Sequence, residues 1–234
     1  MCLIFLKQLK KRRLERIILG YRKRKMCLVN KKKLAKTKEI MHKGDLYLPH
    51  DKNLLIYQMF RLDKLRRLNK TCRLNIPKRQ RLCKKLFAEF GDESYIELPV
   101  YSNFAGEHVH IGSHVYANFN LTLVDDTHIY IGDYTMIGPN VIIATAGHPI
   151  LPELREKNYQ YNAPVHIGRN CWIGAGAIIL PGVTIGDNVV IGAGSIVTKD
   201  IESNVVAVGN PCKVLRPVDE RDKIYYFKNR KIIQ

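Results

Sequence analysis

One histidine and a few amide and carboxylate side chains have the types and spacing that could do chemistry in this 234-residue chain. His148 lies in the tripeptide Gly147–Pro149, where an imidazole could take a proton near neutral pH. Asn118, Asp125 and Asp126 stand upstream, and amides and carboxylates can together bind hydroxyl groups at several points. Each also has a plainer interpretation: an incidental loop histidine, an asparagine ladder along a coil, and an aspartate pair in a turn. The choice depends on the elements that position these side chains.

The cysteines predict no site by their spacing. No C-x-x-C pair occurs, so the sequence predicts neither a zinc site nor a disulfide framework, and free, mostly buried thiols are expected. The six are Cys2, Cys27, Cys72, Cys83, Cys171 and Cys212.

A six-residue period predicts the fold of the second half of the chain. An aliphatic residue recurs every six positions, often followed by glycine, whereas a helix would let such a period drift around its axis. A six-residue repeat is typical of a parallel β-helix, in which each aliphatic side chain points into a continuous core. The period runs through Ile111, Ala117, Leu123 and Ile129, resets to Ile131, Ile137 and Ile143, and continues through Ile167, Ile173, Ile179, Ile185, Ile191 and Val197. Between Ile143 and Ile167 it is interrupted, which predicts a long loop over residues 144–166.

Helical spacing precedes the repeats. An apolar stripe runs from Leu54 to Leu68, and a second helix is predicted with Pro77 in its first turn and apolar positions up to Phe90, ending at Gly91. The predicted organisation is therefore a basic N-terminal extension (1–40), a helical region (41–94), a β-helix (95–216) and a C-terminal tail (217–234).

Positive charge is confined to the N-terminal part of the chain. Residues 1–98 hold 28 Lys and Arg against 9 Asp and Glu, whereas residues 99–234 hold 11 against 12. The extension 1–40 could contact nucleic acid or an anionic membrane, although a solvated or disordered arm is the plainer interpretation. The apolar run Cys2–Leu6 is too short to span a bilayer, and its charges follow rather than precede it, unlike a signal peptide. We therefore expect a cytoplasmic protein.

Several stretches resemble the galactoside and maltose O-acetyltransferases, which are hexapeptide-repeat acyltransferases. The resemblance covers roughly residues 43–229 and leaves out the basic extension. The stretches that carry it are Tyr116–Asp126, Gly147–Pro149, Cys171–Ile201, Gly209–Arg216 and Arg221–Asn229.

This resemblance implies a left-handed parallel β-helix that assembles as a homotrimer, with active sites between subunits. It also implies direct transfer of acetyl from acetyl-CoA to a sugar hydroxyl, with no covalent acetyl-enzyme. His148 matches the family's general base. On the acceptor side the matching residues are Asn118, Asp126 and, less directly, Asp125; Asn103, followed by Phe104, falls near another family position. Pro49 takes one position of an acidic residue in the family's entry motif, and Asp51 is the expected substitute.

The resemblance also implies a donor site. Trp172 matches an aromatic residue beside the active site, and Ala175 stands where some relatives have serine, so that only its backbone N–H could stabilise an oxyanion. Lys213 and Arg216 match basic residues near the nucleotide phosphates. The residues that match the path of CoA are Ala193, Thr198 and Lys199.

Other functions remain open at this level. The acceptor could be serine, an amino sugar or an antibiotic, because related hexapeptide acetyltransferases share the CoA site. A zinc site like that of the carbonic anhydrase type of β-helix is not expected, since the spacing of His108, His110, His114 and His128 and the sugar-transferase motifs argue against it. A non-enzymatic module that binds RNA or membrane through residues 1–40 is a further alternative.

Overall fold

Three parallel β-sheets form the faces of a β-helix in the computed structural model, which describes residues 29–233. The first sheet contains, in spatial order, β1 (Glu89–Phe90), β4 (Val109–Ile111), β7 (Ile129–Ile131), β12 (Val165–Ile167) and β15 (Thr184–Ile185). The second contains β2 (Tyr95–Ile96), β5 (Tyr116–Ala117), β8 (Met136–Ile137), β13 (Trp172–Ile173), β16 (Val190–Ile191), β18 (Val205–Val208) and the antiparallel β19 (Lys213–Pro217). The third contains β3 (Val100–Ser102), β6 (Leu121–Val124), β9 (Ile142–Ala144), β14 (Ile178–Ile179) and β17 (Ile196–Val197).

The six-residue period produces the core, as the sequence predicts. Pairs such as Ile137 and Ile173 stand in register in neighbouring coils, and every residue of the predicted period is buried. Short strands suffice because each coil covers the apolar edge of the next.

Turn corners are built from residues that tolerate the left-handed conformation. Asn120, Asn140 and Asn188 all have φ near +60°. The Asn120 amide donates to Oδ1 of Asn140 at 3.0 Å, so the asparagine ladder considered for Asn118 lies two residues further along the chain. Close stacking also requires glycine: a Cβ on Gly174 would lie 2.5 Å from the backbone nitrogen of Ala193.

Within residues 29–233, three helices precede the coils: α1 (Lys31–His42), α2 (Lys52–Asn69) and α3 (Ile76–Leu86). The stripe on α2 is confirmed, since Leu54, Leu65 and Leu68 are buried. Pro77 lies in the first turn of α3, also as predicted.

One predicted helix end is wrong, and one helix spans a predicted domain boundary. Helix α3 ends at Leu86 rather than at Gly91, because Phe87 turns extended and Phe90 pairs with Ile111 in the first coil. Helix α1 crosses the predicted boundary at residue 40, because Leu34 and Met41 pack against Tyr47, Leu54 and Phe104. The part of the basic extension before residue 29 lies outside the described residues.

Two buried arginines fasten the helices to the first coil. Arg61 of α2 donates to the carbonyl oxygens of Phe104 at 3.0 Å and Ala105 at 3.2 Å, while Arg79 of α3 donates to the carbonyl oxygen of Ile96 at 2.8 Å. Guanidinium groups supply several donors in a fixed geometry, so each arginine satisfies carbonyl groups at the end of the β-helix that no strand covers.

The interrupted segment has structure of its own. It forms a hairpin of β10 (Ala146–Gly147) and β11 (Tyr161–Asn162), with a short helix, α4 (Pro152–Glu156), at its far end. The C-terminal tail contains a 3-10 turn (Glu220–Lys223) and a small hairpin of β20 (Tyr225–Phe227) and β21 (Arg230–Lys231). Within residues 29–233, no helix combines the length and apolarity needed to cross a membrane.

Histidines line the contact between α1 and the coils. The rings of His42 and His108 lie 4.7 Å apart, and those of His42 and His128 lie 4.8 Å apart. Burial lowers the pKa of both His42 and His108 to about 4, with Lys38 and Glu107 as the charged groups nearby. The Nδ1–H of His108 donates to the carbonyl oxygen of Asp125 at 2.7 Å.

We expect His108→Asn to reduce the loss of stability in acid, because the asparagine amide can replace the Nδ1–H donor without titrating. The unfolded chain binds more protons at His108 than the folded chain between pH 6.5 and about 4. The free energy of unfolding of the wild type must therefore decrease as the pH is lowered from 6.5 to about 4, by up to about 1.4 kcal/mol per pH unit for one such group. Urea unfolding of both proteins at several pH values measures this. Parallel pH dependences of wild type and variant would contradict the assignment.

Candidate active site

His148 stands at the root of the hairpin, directly after β10. Its Nδ1 lies 2.8 Å from the carbonyl oxygen of Tyr159 on the opposite side of the hairpin. A carbonyl oxygen can only accept, so neutral His148 carries its proton on Nδ1 and presents a free lone pair at Nε2. The side chain is exposed. This arrangement leaves one ring nitrogen able to accept a proton, and the sequence could not identify the carbonyl that holds the other.

The glycine before the histidine keeps the hairpin tight. A Cβ on Gly147 would lie 2.6 Å from the phenol oxygen of Tyr161, its partner in β11. Only glycine allows this aromatic side chain to cover the strand beside His148.

Asp126 is the buried carboxylate of the site. Its Oδ2 accepts from Nδ2 of Asn103 at 2.7 Å, and its Oδ1 lies 3.2 Å from Nε2 of Gln160. Burial raises the pKa of Asp126, while the two amide hydrogen bonds and the nearby His148 oppose that shift. Asp126 is thus hydrogen-bonded to Asn103 and close enough to His148 for the charges of the two side chains to interact. Gln160 joins them, and no sequence pattern distinguished it.

The carboxylate of Asp125 is occupied by hydrogen bonds within the protein. Its carboxylate accepts from Ser102 Oγ at 2.6 Å and from the backbone N–H groups of Phe104 at 2.8 Å and Gly106 at 3.0 Å. Burial raises its pKa to about 6. Because the side chain is fully buried and turned into this loop, Asp125 holds the turn that presents Asn103.

Asp51 and Asn118 lie on separate elements. Asp51 is the N-cap of α2, where one carboxylate oxygen accepts from the N–H groups of Asn53 at 2.7 Å and Leu54 at 3.0 Å. Asn118 is half-buried at the corner after β5, and its Oδ1 accepts from the N–H of Phe119 at 2.8 Å. No direct hydrogen bond joins either residue to His148 or Asp126 within the described chain.

Small residues form a column at the corner between the second and third sheets. Each corner donates a backbone N–H to a carbonyl oxygen of the next coil, so the corners stack coil upon coil. The pairs are Asn118 to Ile137, Gly138 to Ile173 and Gly174 to Ile191. Ala175 and Ala193 follow in the same column, and both are exposed. The backbone N–H of Ala175 donates to no other group of residues 29–233, which leaves it free for a ligand. A surface this bare of side chains can lie close to a narrow ligand chain.

The predicted basic residues fall into two groups. Lys199 and Lys213 are exposed, as is the neighbouring Thr198, and neither lysine forms an ion pair with the described residues. Arg216 instead forms a bidentate pair with Asp222, at 2.7 and 2.8 Å, which raises the pKa of the arginine and lowers that of Asp222 to about 2. This pair competes with any phosphate contact by Arg216.

Trp172 lies on the outward face of the second sheet. It is 58% exposed and pairs with Met136 of the coil before and Val190 of the coil after. So large an exposed aromatic surface is typical of a contact with a ligand or another subunit. No three or more His, Cys, Asp or Glu side chains between residues 29 and 233 are arranged to hold a metal ion.

Comparisons with known proteins agree with this geometry. Residues 40–91 match the family model "Maltose acetyltransferase hexapeptide capping motif", and residues 164–199 match "Bacterial transferase hexapeptide (six repeats)". The chain is 49% identical over 192 residues to galactoside O-acetyltransferase of Lactococcus lactis, which covers 82% of this chain and 93% of that protein. It is 54% identical over 157 residues to galactoside O-acetyltransferase of Escherichia coli, covering 67% of this chain and 77% of that one.

A solved structure gives the same result in three dimensions. A galactoside acetyltransferase in complex with coenzyme A superposes with a TM-score of 0.81 at 45% identity, over 84% of this chain and 98% of that one. A β-helix built from this six-residue repeat and capped by these helices defines the class of hexapeptide-repeat acyltransferases. Within this class, the chain belongs to the galactoside and maltose O-acetyltransferase family.

Proposed function

We propose that this protein transfers acetyl from acetyl-CoA to a hydroxyl of a galactoside, maltose or glucose-type sugar, with His148 as general base. The observation that carries the proposal is the hydrogen bond between His148 Nδ1 and the Tyr159 carbonyl oxygen. A sugar hydroxyl is a poor nucleophile at neutral pH, and Nε2 can accept its proton as it attacks. The relatives named as galactoside O-acetyltransferases support a sugar as acceptor.

On the acceptor side, Asp126, Asn103 and Asn118 bind and orient the sugar. Asp126 and Asn103 hold each other in place, so a hydroxyl meets a fixed carboxylate rather than a mobile one. Asp51 contributes its second carboxylate oxygen, which accepts no hydrogen bond from the described residues while the first caps α2.

On the donor side, the corner column fits the narrow pantetheine arm of acetyl-CoA. When bound, acetyl-CoA supplies the acetyl thioester that the sugar hydroxyl attacks, and it leaves as the free thiol. The path of acetyl-CoA is lined by Trp172, Ala175, Ala193 and Thr198. The free backbone N–H of Ala175 stabilises negative charge on the acetyl oxygen. Lys199 and Lys213 offer unpaired cations to the phosphates; Arg216 must first give up Asp222.

The active unit is a homotrimer with its sites between subunits. An exposed apolar row runs along the second sheet, because Tyr116, Met136 and Trp172 stand in register on successive coils. Contiguous apolar surface of this kind supports burial against another copy of the chain. In the same arrangement, a neighbouring subunit would cover the corner column along which acetyl-CoA lies.

An acceptor panel tests this function. Release of free thiol from acetyl-CoA is measured with galactosides, maltose, glucose, serine, amino sugars and aminoglycoside antibiotics. We expect galactosides, maltose or glucose to stimulate release well above the hydrolytic background. Stimulation by serine, an amino sugar or an antibiotic alone would replace the sugar hydroxyl as the acceptor class. No stimulation by any acceptor would contradict the enzymatic function and redirect attention to binding of nucleic acid or anionic membrane by residues 1–40.

A further inference from the structure

A buried amide connects the segment that fixes His148 to the acceptor-side carboxylate. The Nε2 of Gln160 lies 2.8 Å from the hydroxyl of Tyr47, 3.0 Å from Oδ1 of Asn162 and 3.2 Å from Oδ1 of Asp126. The side chain is only 6% exposed. An amide nitrogen has two protons, so these three oxygens share them, and the orientation of the amide is fixed by acceptors alone.

The backbone of Gln160 is held as firmly as its side chain. Its N–H donates to the carbonyl oxygen of Tyr47 at 3.0 Å, and its carbonyl oxygen accepts from the N–H of Tyr47 at 2.9 Å. Asn162 adds a second attachment, since its Nδ2 donates to the carbonyl oxygen of Met41 at 3.0 Å and to the Tyr47 hydroxyl at 2.9 Å. The segment from Gln160 to Asn162 is thereby clamped to the end of α1 and to Tyr47, which follows it.

This clamp acts directly on the base. The N–H of Gln160 and the carbonyl group of Tyr159 belong to the same planar peptide unit, in which they point in opposite directions. Holding the N–H on Tyr47 therefore aims the Tyr159 carbonyl oxygen at Nδ1 of His148. The side chain of the same residue reaches Asp126.

We propose that Gln160 is a positioning residue that joins His148 and Asp126 into one rigid unit, setting the distance between the proton acceptor and the acceptor-binding carboxylate. The proposal rests on the proposed function, since it gives Asp126 and His148 their roles there. It deepens that function by assigning a third residue, which acts through His148 and Asp126 rather than by touching acetyl-CoA or the sugar.

Gln160 also controls the charge of Asp126. Burial raises the pKa of Asp126, and the hydrogen bonds from Asn103 and Gln160 counteract the rise. The other titratable groups around this carboxyl are Asp125, Tyr47 and His148. Removing the Gln160 amide leaves the carboxylate with one donor fewer, so Asp126 must take up a proton at higher pH than in wild type.

The test compares Gln160→Met with Tyr47→Phe. Methionine keeps the length and burial of the side chain but removes its donor, whereas phenylalanine removes a different hydroxyl from the same network and leaves the Gln160–Asp126 contact and the backbone bridge intact. For Gln160→Met we expect kcat/KM for the sugar to fall about tenfold or more, as for the loss of a hydrogen bond to a charged group. The KM for acetyl-CoA should not change, and the titration midpoint of Asp126 should move to higher pH. Tyr47→Phe should lower the melting temperature but keep the wild-type titration midpoint of Asp126.

Either of two results would overturn the proposal: an unchanged sugar kcat/KM in Gln160→Met, or equal shifts of the Asp126 titration midpoint in both variants, which would indicate a purely structural role. Carboxyl carbon NMR titration of Asp126, assigned with Asp126→Asn, measures this midpoint without turnover. If wild type acetylates no sugar, the proposed function fails. The Gln160–Asp126 link then stands or falls on whether the titration midpoint of Asp126 rises in Gln160→Met.

Discussion

Replacement of His148 by alanine should lower kcat for sugar acetylation by about 10²–10⁴-fold, the range that a positioned general base contributes. The expectation follows from the Nδ1 contact with the Tyr159 carbonyl, which leaves Nε2 as the only basic nitrogen of the neutral ring. The side chain is exposed and supports no core contact, so the variant should fold and bind acetyl-CoA as wild type does. Thiol release under saturating sugar and acetyl-CoA measures the loss.

A matched histidine variant separates the base from a general surface effect. His114 is also exposed, but it pairs with Glu93 and stacks on Tyr134. It lies at the corner between the first and second sheets, whereas the hairpin follows a strand of the third sheet. We expect His114→Ala to keep wild-type kcat. A His148→Ala enzyme with kcat within about threefold of wild type would be incompatible with proton transfer by this residue.

Replacement of Asp125 by alanine should cause the largest loss of stability among the polar residues of the site. It leaves the buried N–H group of Phe104 and the half-buried hydroxyl of Ser102 without their acceptor, whereas the N–H of Gly106 still donates to Ser102 Oγ. An unsatisfied buried donor costs about 1–3 kcal/mol, so we expect the free energy of unfolding to fall by about 2 kcal/mol. Urea unfolding followed by circular dichroism measures the change.

Asp187 provides the control for this substitution. It accepts from the N–H of Arg169 at 2.8 Å in the same kind of turn, but it is exposed, so water can replace the lost acceptor. Asp187→Ala should cost less than about 1 kcal/mol. Equal destabilisation by the two substitutions would show that burial of the Asp125 loop is not what makes its carboxylate important.

The sequence by itself determined the β-helix, because a six-residue period of aliphatic side chains has no other way to bury every member. Ile137, Ile173 and Ile191 show this: each was assigned to the core from spacing alone, and each is buried. The resemblance then singled out His148 and Asp126 as candidates, because the motifs that hold them are continuous in the chain. The spacing of apolar residues also predicted α2, and Pro77 predicted the start of α3.

The tertiary structure decided what those residues contact. The Tyr159 carbonyl that fixes the histidine, the Gln160 amide beside Asp126 and the clamp on Tyr47 join segments as much as 115 residues apart. The end of α3 at Leu86 likewise depended on Phe90 pairing with a strand in another coil. Contacts of this kind arise from the stacking of coils and the folding back of the hairpin, and no local periodicity encodes which side chains then meet.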